Sequence, residues 1–517
     1  MNPRIRGWLT AGGSVLLAVW LGWSIADGSL GLAALAAVVS LAAVLVRLTQ
    51  LPGAVILLGS LLIGYVVGNR GFAQILPVPT LPLFPAELGL AVCLGWLVIQ
   101  TALRRAHLWR RDALNWALLV WVALGTARVL IDTPRYGLIA LRDYAMIYYV
   151  AFFFVAQHYA KQARARNYLV GCLGLAVGAL LPVYFLFQAF PGFFFNTLTA
   201  RGVPLIFLKG DLAFTFLSAG TFIVFFLLRG RLCLLGWLLA SAMFLTVLAG
   251  DSRASLAGGA VATVWLLLTR RWAFPALQAG VAALALAGLV AAAFLGDSQS
   301  AEVRLQSLSD RAASFADVRH AHTYLNDEDS YKADNNRFRL VWWRTVAEET
   351  LSQGPVCGLG FGYDLAKGFL QAYDPEMGEE FAARSPHSIV MSAFGRMGCI
   401  GLAAFVAIVG AMVFRTWHAL HDPSTDPVAV GLWCAAWVIL TSACFGVVLE
   451  GPMGAVVFWS ALGLANGIEA TTKAAGVRSP APAENGSEIQ QGCAAGGRST
   501  VSAAQSVGSD SLPPSKT

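Results

Sequence analysis

Long uninterrupted apolar runs constrain this sequence more than any other feature. A bilayer core about 30 Å thick takes about 20 residues of helix to cross. Runs near that length recur at roughly 7–25, 29–46, 52–68, 84–103, 113–131, 138–157, 167–190, 210–228, 232–249, 254–269, 272–295, 387–414, 428–449 and 453–468. The expected fold is therefore an all-α, polytopic transmembrane helix bundle of about 12–14 spans, with one large external loop containing short interfacial helices. Composition agrees: 57% of the 517 residues are hydrophobic and 13% are charged, with mean hydropathy +0.65, which excludes a water-soluble domain of this length.

The formal net charge of +7 could suggest a nucleic-acid partner, but Lys and Arg sit in short clusters between apolar runs rather than on one face. Topology accounts for them, because cytoplasmic loops retain basic residues. With the N-terminus inside, the inner loops collect Arg4, Arg6, Arg47, Arg104, Arg105, Arg110, Arg111, Lys161, Arg164, Arg166, Arg229, Arg231, Arg270, Arg271 and Arg415. The short outer loops hold only Arg70, Arg135, Arg201, Lys209 and Arg253. The first run, behind Arg4 and Arg6, is long enough to span and lacks an A-x-A cleavage site, so it reads as an uncleaved helix. Six of the eight cysteines fall inside apolar runs, where they read as small core residues rather than a disulfide framework.

The predicted organisation follows: N-terminal transmembrane helices over 1–295, a large periplasmic or external loop over 296–386, C-terminal transmembrane helices over 387–469, and a disordered cytoplasmic tail over 470–517, rich in Ser, Gly, Ala, Pro and Gln. In the loop, NNRFRLVWWRTVAEETLSQGP predicts a helix capped by Asn335 or Asn336 and stopped by Gly354-Pro355, with Leu340, Trp343, Ala347 and Leu351 on one face. It either lies on the membrane interface, rings at headgroup level, or packs on other loops.

This topology gathers five residues from distant parts of the chain at the outer surface: Arg201 in TARGVP, Arg253 in GDSRASLAGG, Arg337 and Arg339 in NNRFRL, and His387 in HSIVMSAFGRMGCIG. Each has a plainer reading. Arg201 could anchor to lipid headgroups, Arg253 could pair with Asp251, Arg337 and Arg339 could face solvent, and His387 could be an interface residue. Gly395, Gly398 and Gly401 form a small-residue strip suited to close approach of a neighbouring helix. His320 and His322 are two possible ligands in an acidic loop, short of a metal site, and no metal or cofactor is expected. Together, arginine forks and an imidazole suit a lipid-tethered pyrophosphate. The forks bind it and stabilise the charge that grows as it leaves, while a neutral imidazole takes the proton of an attacking hydroxyl.

At this point the sequence resembles the O-antigen ligase and polymerase superfamily, membrane glycosyltransferases that use undecaprenyl-pyrophosphate glycans. The family's ligase signature is His, then Asn, Ser or Gln, nine residues, and Gly-x-x followed by Gly, Thr or Tyr; His387-Ser388 through Gly398-Cys399-Ile400-Gly401 satisfies it. LAGDSRASLAGG and RLVWWRTVAEETLSQGPVCGLGFG resemble two further family segments, the latter ending in a Pro-x-x-Gly-x-Gly turn. The resemblance implies His387 as base, Arg253 as pyrophosphate ligand, Arg201 as the second arginine, and Arg337 or Arg339 as a further contact.

It also implies a multi-pass protein of the bacterial cytoplasmic (inner) membrane, active on the periplasmic face. Its partners would be an undecaprenyl-pyrophosphate-linked glycan donor, a lipid A-core or glycan acceptor and membrane lipids, with no nucleic acid. The expected activity is metal-independent, inverting glycan transfer to a hydroxyl, O-antigen ligase-like. Polymerisation of O-antigen or exopolysaccharide repeat units is the alternative, with transfer to protein third. A flippase of the same lipid-linked glycan is the competing class, but the mid-helix stretches carry little charge beyond Arg128 and the pair Arg142-Asp143. A non-catalytic scaffold of a polysaccharide assembly complex is the remaining possibility.

Overall fold

The computed structural model describes residues 49–76, 83–104, 109–200, 202–250, 252–295, 306, 327–373 and 384–477. The first two expected spans and the chain beyond 477 lie outside the described residues, as do His320, His322, Asp251 and Arg201. The core and the cavity considered below belong to the unit that runs from Met1 to Ala474; a second unit begins at Ala475.

The described chain is a bundle of apolar helices. In order these are α1 (Gly53–Gln74), α2 (Pro85–Arg104), α3 (Ala113–Tyr136), α4 (Leu138–Ala160), α5 (Ala163–Ala189), α6 (Gly210–Leu227), α7 (Cys233–Ala249), α8 (Arg253–Leu268), α9 (Ala273–Leu295), α10 (Asp327–Gln353), α11 (Lys367–Tyr373), α12 (Ile389–His421), α13 (Pro427–Ala443) and α14 (Pro452–Val477). Eight helices are long and apolar enough to cross a membrane, and α8, α13 and most of α9 are shorter apolar helices. Every apolar run from residue 52 onward falls on one of these helices over most of its length, except that the end of the 428–449 run, beyond Ala443, is not helical. The described strands are one small antiparallel ribbon, β1 (Thr199–Ala200) with β2 (Val203–Pro204), before α6.

Local chemistry sets the helix starts. Asp112 caps α3, Ser252 caps α8, Ser388 caps α12 and Asp426 caps α13, each accepting from a backbone N–H in the first turn. Glycines set the closest packing. A Cβ on Gly258 would stand 2.6 Å from the Val438 carbonyl oxygen, and one on Gly463 would stand 2.3 Å from that of Phe153, so α8 lies against α13, and α14 against α4, with backbones nearly touching. α6, buried along most of its length, is the central helix, packed on α7, α8 and α13.

The loop helix differs from expectation. α10 starts at Asp327, so Asn335 and Asn336 lie inside it, and it ends at Gln353 ahead of Gly354-Pro355. Its buried stripe is Trp342, Val346 and Thr350, one position off the expected face, while Leu340 and Leu351 are exposed. Trp342 stacks on Phe369 of α11 at 5.1 Å between ring centroids and donates from Nε1 to the Leu365 carbonyl at 2.7 Å. Its ring thus fills a second small core with Phe369, Leu365 and Leu359.

α12 is interrupted. At 33 residues it would be about 50 Å long, well beyond a bilayer core. Gly398, at φ 65° and ψ −157°, breaks it, leaving 399–421 to span. The turn at 354–360 fills the break. Leu359 and Gly360 donate to the carbonyls of Gly395 and Arg396 at 2.7 and 3.1 Å, while Cys399 and Ile400 donate to those of Pro355 and Val356 at 2.9 and 3.2 Å. Each segment supplies the partners that the other's missing helical turn would have provided. The glycines of α12 therefore receive the 354–360 turn at Gly398 and helix α10 with Leu365 at Gly395. A Cβ on Gly395 would meet Leu365 and Val346, and one on Gly398 the Val356 carbonyl.

Candidate functional site

A cavity of about 390 Å³ lies where the starts of α6 and α8 meet α10 and the segment after α13. Lys209, Asp211 and Thr215 come from the α6 end, Ser252 and Arg253 from α8, Asn335 and Arg339 from α10, and Ser442 and Phe445 through Val448 from the α13 end. Two helix N-termini thus face one space, each bringing the positive end of its dipole and backbone N–H groups left over from the first turn. Three cations and one carboxylate line it. Burial lowers the pKa of the Arg339 guanidinium, against the pull of Asp211, and its Nε has no hydrogen-bond partner among the described residues. Such a surface is matched to a multiply charged anion, which would complete the arginine's hydrogen bonding.

His387 stands beside this cavity on a strained turn. Its φ of 53° is uncommon for a side-chain-bearing residue. Three contacts hold the turn. Trp343 Nε1 donates to the Pro386 carbonyl at 2.7 Å, the Trp342 ring meets the imidazole edge-on at 5.5 Å, and Ser388 caps α12 behind it. The pKa of the imidazole is lowered to about 4, first by burial, then by Arg339 and Lys209, with Asp211 opposing. The same cations that would hold an anion thus keep His387 neutral, the form that accepts a proton.

Of the residues singled out from sequence, the structure brings Arg253 and Arg339 onto one cavity and sets His387 in the field of Arg339. Arg337 is exposed and is not among the lining residues. Arg201 lies outside the described residues. The sequence marks Lys209 only as an outer-loop cation and gives Asp211 no role; the Lys-Gly-Asp opening of a long apolar run is the available signal.

The scarce charges in the first half have a different use. Asp132 pairs with Arg128 at 2.9 Å and accepts from the Phe361 N–H at 2.7 Å. Asp143 pairs with Arg396 at 2.7 Å and with Arg384 at 3.8 Å, and accepts from the Gly362 N–H at 3.0 Å, while Arg142 is exposed. These acids latch the 355–366 segment, and through it the break in α12, onto α3 and α4.

The fold and cavity define a class: a polytopic membrane protein in which α10 and the 354–366 segment are built into the bundle beside a cationic pocket, with an imidazole close by. Residues 238–406 match the family model described as O-antigen ligase, a stretch that takes in Arg253, Arg339, His387 and Gly398. Over that stretch the chain is similar to the O-antigen ligase family. No curated protein matches the chain.

Proposed function

We propose that the protein is an inverting, metal-independent glycosyltransferase of the bacterial inner membrane. It moves a glycan from undecaprenyl pyrophosphate to a hydroxyl on the outer face, ligase-like, with lipid A-core as acceptor. The observation that carries this reading is the convergence of Lys209, Arg253 and Arg339 on one cavity, with a neutral His387 beside it. In the step envisaged, the imidazole takes the acceptor's hydroxyl proton as the oxygen attacks the anomeric carbon. The bond from that carbon to pyrophosphate breaks, and the electron pair leaves with undecaprenyl pyrophosphate. The three cations and two helix ends stabilise the departing charge where it grows, in a site partly screened from water. His387 then passes its proton to solvent or to the released diphosphate.

The test is reconstitution in nanodiscs with a lipid-pyrophosphate glycan and lipid A-core. Substituting His387 by Ala should lower turnover by about 10²–10⁴-fold, the usual scale for a lost general base. Arg253→Ala and Arg339→Ala should weaken donor use and transfer together. Full transfer in His387→Ala or Arg253→Ala overturns the assignment. Transfer to a second lipid-linked glycan instead of lipid A-core would make the protein a polymerase.

A further inference from the structure

The strained turn that carries His387 is fastened by a carboxylate from a distant connection in the chain. Glu450 lies in the segment between α13 and α14, whose Phe445 through Val448 wall the cavity. Its Oε2 accepts from the Ser385 hydroxyl and its Oε1 from the Ser392 hydroxyl. These serines flank His387, one just before Pro386 and the other in the first turn of α12, and they stand 3.3 Å from each other. One side chain therefore pins both sides of the turn. Trp343 secures Pro386 between them, so the backbone at φ 53° is fixed from two independent elements. A left-handed conformation at a residue with a Cβ persists only when its surroundings over-determine it.

We infer that Glu450 is the positioning residue of His387, holding the imidazole at the height of the cavity while tying the 445–448 wall to it. It touches neither donor nor acceptor; it acts through the histidine. The inference rests on the proposed transfer reaction only for its kinetic consequence, since the geometry of the clamp can be read without turnover.

The experiment uses the full chain in nanodiscs, with Glu450→Gln, Glu450→Ala and the pair Ser385→Ala with Ser392→Ala. Glu450→Gln keeps the shape and one acceptor, so it serves as the variant most able to fold. The first readout is carbethoxylation of His387 by diethyl pyrocarbonate, followed by peptide mass spectrometry, with His158, His418 and His421 as internal references. The expected result is a changed rate at His387 alone in Glu450→Ala and in the double-serine variant, with Glu450→Gln intermediate.

The second readout is transfer. Turnover should fall by about 10²-fold in Glu450→Ala, the scale of a misplaced catalytic group, with donor KM within about twofold and partial rescue in Glu450→Gln. In a His387→Ala background, Glu450→Gln should cost nothing more. Unchanged His387 reactivity in both Glu450→Ala and the serine pair overturns the proposal, as does an equal loss from Glu450→Gln with and without His387. Absence of transfer in the wild type would instead sink the proposed function and leave the chemical-modification result standing.

Discussion

Replacing Gly398 with Ala probes how far the interrupted helix depends on one backbone conformation. At φ 65° and ψ −157° the residue sits in a region open essentially to glycine, and a side-chain-bearing residue there costs about 1–3 kcal/mol. The new Cβ would also stand 2.4 Å from the Val356 carbonyl oxygen, which is backbone and cannot simply rotate away. Relieving that overlap moves the 354–360 turn and forfeits the bonds from Cys399 and Ile400 to Pro355 and Val356, about 1 kcal/mol each. The total is about 3–5 kcal/mol. Gly410→Ala in the same helix is the control, because nothing lies within 4 Å of a Cβ there, and its effect should stay within about 1 kcal/mol. Both variants are purified in nanodiscs and compared by midpoint of denaturation and by protease cleavage within 355–366. Equal stability and equal cleavage in the two would refute the account of the broken helix.

Two further outcomes follow from the site. Because the His387 pKa lies near 4, the imidazole is neutral above that value, so kcat/KM should be flat through neutral pH and fall only as pH drops towards about 4; a limb centred on the ordinary histidine value of 6.5 would contradict it. The lowered pKa also means that the unfolded chain binds the extra proton first, so stability declines as pH falls below 6.5, a loss complete near 4 and worth about 3 kcal/mol. Asp143→Ala would strand Arg396, whose side chain is only 4% exposed, at a cost of about 3–5 kcal/mol. Limited proteolysis should then cut the 355–366 segment readily, and an unchanged digestion pattern would show that the latch contributes nothing.

The membrane helices were legible in the sequence because hydropathy over a bilayer's width leaves few alternatives, and each described apolar run became a helix apart from 444–449, which leaves the helix to wall the cavity. The Gly354-Pro355 stop was legible for the same local reason, because stops depend on neighbours in sequence; the start of α12 was legible only approximately, since Ser388 caps it and His387 stands before the helix at φ 53°. What hydropathy could not carry was partnership. Lys209 and Asp211 look like any short-loop charges until α8 and α10 are brought beside them. Gly398 looks like a helix-packing glycine, since only its dihedrals reveal that a loop replaces the missing turn. The stripe on α10 shifted by one position because α11, a partner invisible in the local pattern, decides which side of that helix is dry. Asp132, Asp143 and Glu450 act on segments far along the chain, at separations no periodicity encodes.

The mutual turn between 354–360 and the broken α12 also imposes an order on biogenesis. Neither half can complete its hydrogen bonding alone, and α11 lies between them in the chain. During synthesis the interrupted helix would carry an open notch, sealed only once the 354–366 segment has docked on Asp132 and Asp143, on helices made much earlier. Docking of that segment, rather than insertion of any single span, is then the event that commits the protein to its working form.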